Sequence, residues 1–204
     1  MAGQEIEPIT KEELSQPLFR LIPVVAVLAV MWLVEIIDVP LDGDLDRFGI
    51  RPRRIDGLDG ILFSPFLHRG FGHLFANSIP FLLLGGAIAL GNVRRWVIVT
   101  AIVAGTSGLG AWTFSDAGTV TVGASGLVFG YLTYLVTRGL FAHKASYLLG
   151  GLLTLMLYGG LLWGLVPTPS VSWSGHLFGA LGGILAAWVV HRPRSEVLGT
   201  ESGR

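Results

Sequence analysis

Long apolar runs broken by short polar turns dominate this chain. Six nearly uncharged segments lie near 19–37, 72–91, 96–114, 123–140, 146–166 and 174–191. Each approaches the roughly 20 residues that a helix needs to cross a hydrocarbon core of about 30 Å. No hydrophilic stretch is long enough for a second folded domain. The pattern predicts an all-α fold, a polytopic membrane helical bundle of six transmembrane helices over 18–192, with polar tails at 1–17 and 193–204.

Composition strengthens this reading: 51% of residues are hydrophobic, 14% are charged, and the mean hydropathy is +0.65. The absence of cysteine excludes disulfides, thiol nucleophiles and thiolate metal sites. No metal or cofactor is expected, and no nucleic-acid partner. The N-terminus is acidic, with Glu5, Glu7, Glu12 and Glu13, whereas a cleaved signal peptide would begin basic.

The distribution of charge predicts orientation. With six spans, both tails and the turns holding Arg94, Arg95, Arg138 and Lys144 share one side. Lys11, Arg20, Arg192, Arg194 and Arg204 bring that side to nine of the 14 basic residues. The positive-inside tendency makes it cytoplasmic. The other five, Arg47, Arg51, Arg53, Arg54 and Arg69, fall in a long loop from Asp38 to Gly72 beside six aspartates. Trp96 and Trp188 are expected near the inner boundary, and Trp112, Trp163 and Trp173 near the outer.

Two polar residues stand where apolar segments begin. Ser125 lies in Gly123-Ala124-Ser125-Gly126 and His176 follows Gly175. Counted along helices, Ser125 lies about 20 Å above Arg138 and His176 about 24 Å above Arg192, so the two share a depth below the outer surface. A serine needs a base within hydrogen-bond reach to become a nucleophile, and the first N–H groups of its helix can stabilise an oxyanion. Gly123 and Gly126 let a carbonyl approach closely. Packing alone also explains small residues in a membrane chain. Gly105-Thr106-Ser107-Gly108 shows the same pattern inside an unbroken segment, where Ser107 is expected to pack or make a local hydroxyl-to-carbonyl bond. Gly179 and Gly183 have the small-xxx-small spacing that lets helices nearly touch, with Gly126 and Gly130 as the facing residues. No aspartate matches the depth of His176, so a dyad is expected. His73 and Asn77 share a helix face four residues apart, and both can donate toward an oxyanion.

Together these motifs resemble the rhomboid family of intramembrane serine proteases in its prokaryotic six-span form. The resemblance covers about 18–192 and follows the order His73…Asn77, Gly123-Ala124-Ser125-Gly126 and His176…Gly179…Gly183. It implies that Ser125 is the nucleophile and His176 the general base. His73, Asn77 and the Ser125 N–H would form the oxyanion hole, with His68 in support. Relatives often carry alanine where Gly175 stands and tyrosine where Phe129 stands, and many have a Trp-Arg pair in the first loop, which here lacks tryptophan.

The reaction so implied is hydrolysis of a peptide bond in or near a transmembrane segment, with single-span or other membrane proteins as substrates and the lipid bilayer as the medium. Thr168, Ser170, Ser172 and Ser174 suit a polar cap over the site, and the fifth span is a candidate substrate gate. Two alternatives are a helix-binding scaffold without catalysis and a transporter, though no internal repeat supports the latter. The expected location is the cell membrane, with both termini cytoplasmic.

Overall fold

The computed structural model describes residues 17–168 and 172–192. The tails, except Pro17, and Ser170 of the expected cap lie outside these residues. Among the described residues seven α-helices follow in order: α1 Ile22–Asp38, α2 Gly60–Phe63, α3 Phe71–Gly91, α4 Val93–Phe114, α5 Ser125–Ala142, α6 Ala145–Tyr158 and α7 Trp173–His191. Among the described residues there is no strand, only the isolated antiparallel bridge Ile50–Thr121. The protein is a helical membrane bundle.

Local chemistry sets several helix ends. Asn92 accepts the Arg95 N–H at 2.9 Å and caps α4. His143 closes α5 in a left-handed conformation, φ 50. α6 tightens into a 3-10 segment over Gly159–Leu165, and Ser172 caps α7 through the Gly175 N–H at 3.4 Å.

Among the described residues five helical stretches are long and apolar enough to cross a membrane: Pro17–Leu41, Phe71–Gly91, Val93–Phe114, Ala145–Leu165 and Trp173–His191. α5 is not among them, because Ser125, Thr133, Thr137 and Arg138 dilute its apolar run. It lies at the centre, packed against α7, α6, α3 and α4, with Leu127, Val128, Tyr131, Leu132 and Leu135 buried. A helix surrounded by protein does not need a lipid-facing surface all round. Lipid contact falls instead on the outer faces, as on α6, where Leu149, Met156 and Leu157 are exposed.

The seam between α5 and α7 is made of glycine. A methyl group at Gly179 would collide with the Gly126 carbonyl, and one at Gly183 with the Gly130 carbonyl and Thr133. The close approach also admits a hydrogen bond from Thr133 Oγ1 to the Ala180 carbonyl at 2.7 Å. Trp96, in the first turn of α4, is buried beside Tyr131 and Gly85, and its ring fills the space that glycine leaves on α3.

The loop between α1 and α3 is folded down onto the bundle. Besides the Ile50–Thr121 bridge, the Arg53 side chain donates to the Thr113 and Ser115 carbonyls at 3.0 and 2.8 Å. These acceptors include carbonyls left open at the end of α4. Trp112 donates its indole N–H to the Arg54 carbonyl at 2.8 Å. This chain therefore anchors its first loop with a tryptophan from α4.

Candidate active site

Ser125 is the first residue of α5 and His176 sits in the first turn of α7. The glycine seam holds the two starts together, with Ser125 Oγ 2.8 Å from His176 Nε2. His176 Nδ1 lies 2.8 Å from the Gly164 carbonyl. A carbonyl can only accept, so Nδ1 carries the proton, and Nε2 is left to accept from the serine hydroxyl. Among the described residues no acidic side chain takes part in this arrangement. Phe129, one turn after Ser125, stacks on the imidazole with centroids 4.3 Å apart and planes inclined by 11°.

Gly123, just before this start, adopts φ +115, a conformation that favours glycine. A methyl there would lie 2.7 Å from His73 Cε1, 2.9 Å from His73 Nε2 and 3.8 Å from Asn77 Nδ2. The missing side chain thus leaves a hollow beside Ser125 faced by two donors of α3. Asn77 Nδ2 spends one hydrogen on the His73 carbonyl at 3.1 Å, which leaves the other free. The Arg69 N–H points at His73 Nδ1 from 3.4 Å, so the His73 proton belongs on Nε2, toward the hollow. No side chain caps the start of α5, so its first N–H groups add further donors.

His68 lies beneath this turn, 1% exposed, and accepts the Ala124 N–H at 3.4 Å. Burial, reinforced by His73 nearby, lowers its pKa to about 4 and keeps the ring neutral at physiological pH. The Gly123 N–H donates to the Ser64 carbonyl at 2.8 Å. The turn carrying Ser125 is therefore held from below by the first loop.

A cavity of about 1120 Å³ opens onto these groups, lined by Ser125, His176, His73 and Asn77 and by Arg69 and Asp116 toward its mouth. Ala76 and Pro80 of α3 line one side, and Gly160, Leu161 and Gly164 after α6 the other. Pro80 has no N–H, so the Ala76 carbonyl lacks its usual helical donor and remains available to a ligand.

Ser107 is separate from the cavity. Its hydroxyl donates to the Gly175 carbonyl at 2.8 Å, so the bond runs between helices and not along α4 as expected, because α7 passes directly over it. It steadies the backbone just before His176. Sequence reasoning also missed the Gly164 carbonyl, since a backbone acceptor leaves no mark in residue type, and the hydroxyl cluster in which Ser115 and Ser174 meet at 2.8 Å.

The bundle defines a multi-pass membrane protein whose cavity holds a serine and a histidine in hydrogen-bond contact. The Rhomboid domain matches residues 57–193. The chain belongs to the rhomboid family. It is 43% identical over 174 residues to Uncharacterized protein Rv1337 of Mycobacterium tuberculosis and equally to Uncharacterized protein Mb1372 of Mycobacterium bovis. Each of these matches covers 81% of this chain and 72% of the relative. Uncharacterized protein ML1171 of Mycobacterium leprae is 38% identical over 197 residues, covering 90% of this chain and 78% of its own.

Proposed function

We propose that this protein is an intramembrane serine endopeptidase that cleaves peptide bonds in or near the transmembrane segments of other membrane proteins. The observation that carries the proposal is the 2.8 Å contact between Ser125 Oγ and His176 Nε2 beside the hollow at Gly123. We further propose that α5 is a sixth span within 18–192, that both tails are cytoplasmic, and that the cavity opens on the outer side.

A substrate helix must unwind locally, because its carbonyls are otherwise committed to its own hydrogen bonds. The route between α3 and the 3-10 segment after α6 fits an extended strand, and the Ala76 carbonyl offers it an acceptor. His176 Nε2 takes the Ser125 proton as Oγ attacks the scissile carbonyl carbon. The developing oxyanion lies in the hollow, accepting from His73 Nε2–H, Asn77 Nδ2–H and the Ser125 N–H. The imidazolium then returns its proton to the leaving amine, the C–N bond breaks, and an acyl-serine remains. Water, deprotonated by His176, releases the second product and restores the serine. Throughout, the Gly164 carbonyl holds the Nδ1 proton. Its neutral dipole does for orientation what a carboxylate does in a triad.

The test uses protein in liposomes with a single-span substrate, with cleavage followed by mass spectrometry. Ser125→Ala and His176→Ala abolish cleavage, whereas Ser107→Ala retains it with reduced thermal stability. Continued cutting by Ser125→Ala, or no cutting by wild type across several substrates, would sink the proposal and leave a helix-binding scaffold as the better account.

A further inference from the structure

At the end of the bundle opposite the cavity, positive charge gathers without compensation. Arg138 lies four residues before the end of α5, about 20 Å along the helix from Ser125. Its guanidinium stacks over Tyr147 of α6 at 4.5 Å, and Lys144 reaches the same ring at 5.6 Å. Tyr134 and Tyr147 both pack against His191 of α7 with ring centroids 5.8 Å away, and Arg95 lies in the first turn of α4, which packs against α5 and α7. His191 is itself tied to Tyr134 by a 2.9 Å hydrogen bond. Four helices therefore converge on one basic cluster.

Nothing acidic answers it among the described residues. Every ion pair there lies in the loop between α1 and α3: Arg47–Asp44, Arg51–Asp56 and Arg54–Asp56. Arg138 Nε is buried and has no hydrogen-bond partner. A buried, unpaired donor on a cation is costly and calls for an acceptor. The start of α6 adds to the demand, because Lys144 precedes it without a side-chain cap and the first N–H groups of a helix attract anions. The surroundings indicate which anion: Leu140, two residues after Arg138, and Leu148, next to Tyr147, are exposed to 61% and 42% and add apolar surface to this end of α5 and α6.

We propose that this cluster binds the phosphate headgroup of an anionic phospholipid. Arg138 is the central donor, Lys144 and Arg95 the flanking charges, and the acyl chains lie along Leu140 and Leu148. Basic pockets between the ends of membrane helices suit such headgroups, each cation near the surface strengthening binding about fivefold. A lipid in this place would tie the ends of α5 and α6 together, below the segment that leads from α6 to His176.

The test is native mass spectrometry of the full chain released from detergent with equal amounts of phosphatidylglycerol and phosphatidylcholine. Wild type retains phosphatidylglycerol preferentially. Lys144→Gln reduces retention about fivefold, Arg138→Gln reduces it further, and Arg138→Lys restores part of it. Arg47→Gln, in the loop at the other end, changes nothing. Should Arg138→Gln fail to fold, Lys144→Gln carries the test, because Lys144 is exposed. Unchanged retention in Lys144→Gln, or equal retention of both lipids, overturns the proposal. Displacement of the lipid by inorganic phosphate alone would overturn it in favour of a soluble anion. The readout does not depend on cleavage, so the outcome is separate from that of the protease proposal.

Discussion

Gly164→Ala is a direct probe of the histidine's orientation. The new methyl would lie 2.8 Å from Phe129 Cζ and 3.3 Å from His176 Nδ1. Ordinary contact begins near 3.4 Å, so the Phe129 ring must retreat by about 0.6 Å or the Gly164 carbonyl must withdraw with its backbone. Either movement disturbs the imidazole, which is stacked on that ring and bonded to that carbonyl. A misplacement of about 1 Å at a reacting group costs about 10²-fold in rate. The smaller shift here should therefore lower kcat roughly tenfold to thirtyfold. KM should change little, because the methyl points at the dyad and not along the substrate route. Overpacking costs about 1–3 kcal/mol, partly offset by the stiffer unfolded chain. Gly160→Ala is the control on the same segment, where a methyl meets nothing within 4 Å. Steady-state kinetics in liposomes gives kcat and KM, and nitrogen NMR of labelled histidine reports the tautomer independently of turnover. If Gly164→Ala keeps kcat within twofold of Gly160→Ala and the Nδ1-protonated form persists, the carbonyl does not orient His176.

Removing either proposed oxyanion donor, by His73→Ala or Asn77→Ala, should lower kcat by about 10²–10³-fold with a smaller effect on KM, as measured on the same substrate. His68 is held well below its unfolded pKa of 6.5, so the unfolded chain gains a proton first as pH falls. Stability present above pH 6.5 should decline toward pH 4, by up to about 3 kcal/mol, and His68→Gln should flatten that part of the Tm profile. Asp46 has the opposite sign. Burial, and then Asp38, raises its pKa to about 6, so its stabilising contribution is complete below the unfolded value of 3.8 and is lost as pH rises through 6. Asp46→Asn should accordingly raise stability above pH 6 by about 1–2 kcal/mol after discounting for solvent screening, seen as a higher Tm there and an unchanged Tm at pH 3.5.

Residue chemistry and helical counting carried most of the architecture. Apolar length located the helices because lipid demands it over a fixed distance, and the spacing of Gly179 and Gly183 pointed to close packing because only small side chains permit it. The sequence segment 123–140 became α5, which falls outside the stretches long and apolar enough to cross a membrane because residues that serve the interior dilute its hydropathy. The motifs also brought Ser125, His176, His73 and Asn77 to attention, since each is a polar group where apolar ones prevail. The illegible part was backbone. The Gly164 carbonyl on His176, the Ser64 carbonyl on Gly123 and the Gly175 carbonyl on Ser107 depend on where distant segments come to rest. The packing of Trp96 into the space left by Gly85 is likewise visible only in three dimensions.

These backbone contacts bear on how such a site works in a membrane. An aspartate oriented on His176 would bring a second ionisable group into a region where charge is expensive. A carbonyl orients the same nitrogen without adding charge, and its dipole strengthens when the cavity is dry and weakens when water competes. The carbonyl belongs to the 3-10 segment that follows α6, the same segment that borders the route proposed for the substrate. Any outward displacement of that segment lengthens the contact to Nδ1 and releases the imidazole from its orientation. Its return restores both the wall of the cavity and the tautomer that accepts from Ser125. On the proposed function, access and activation share one hydrogen bond: displacing the Gly164 carbonyl from Nδ1 would open the cavity wall and lower kcat together.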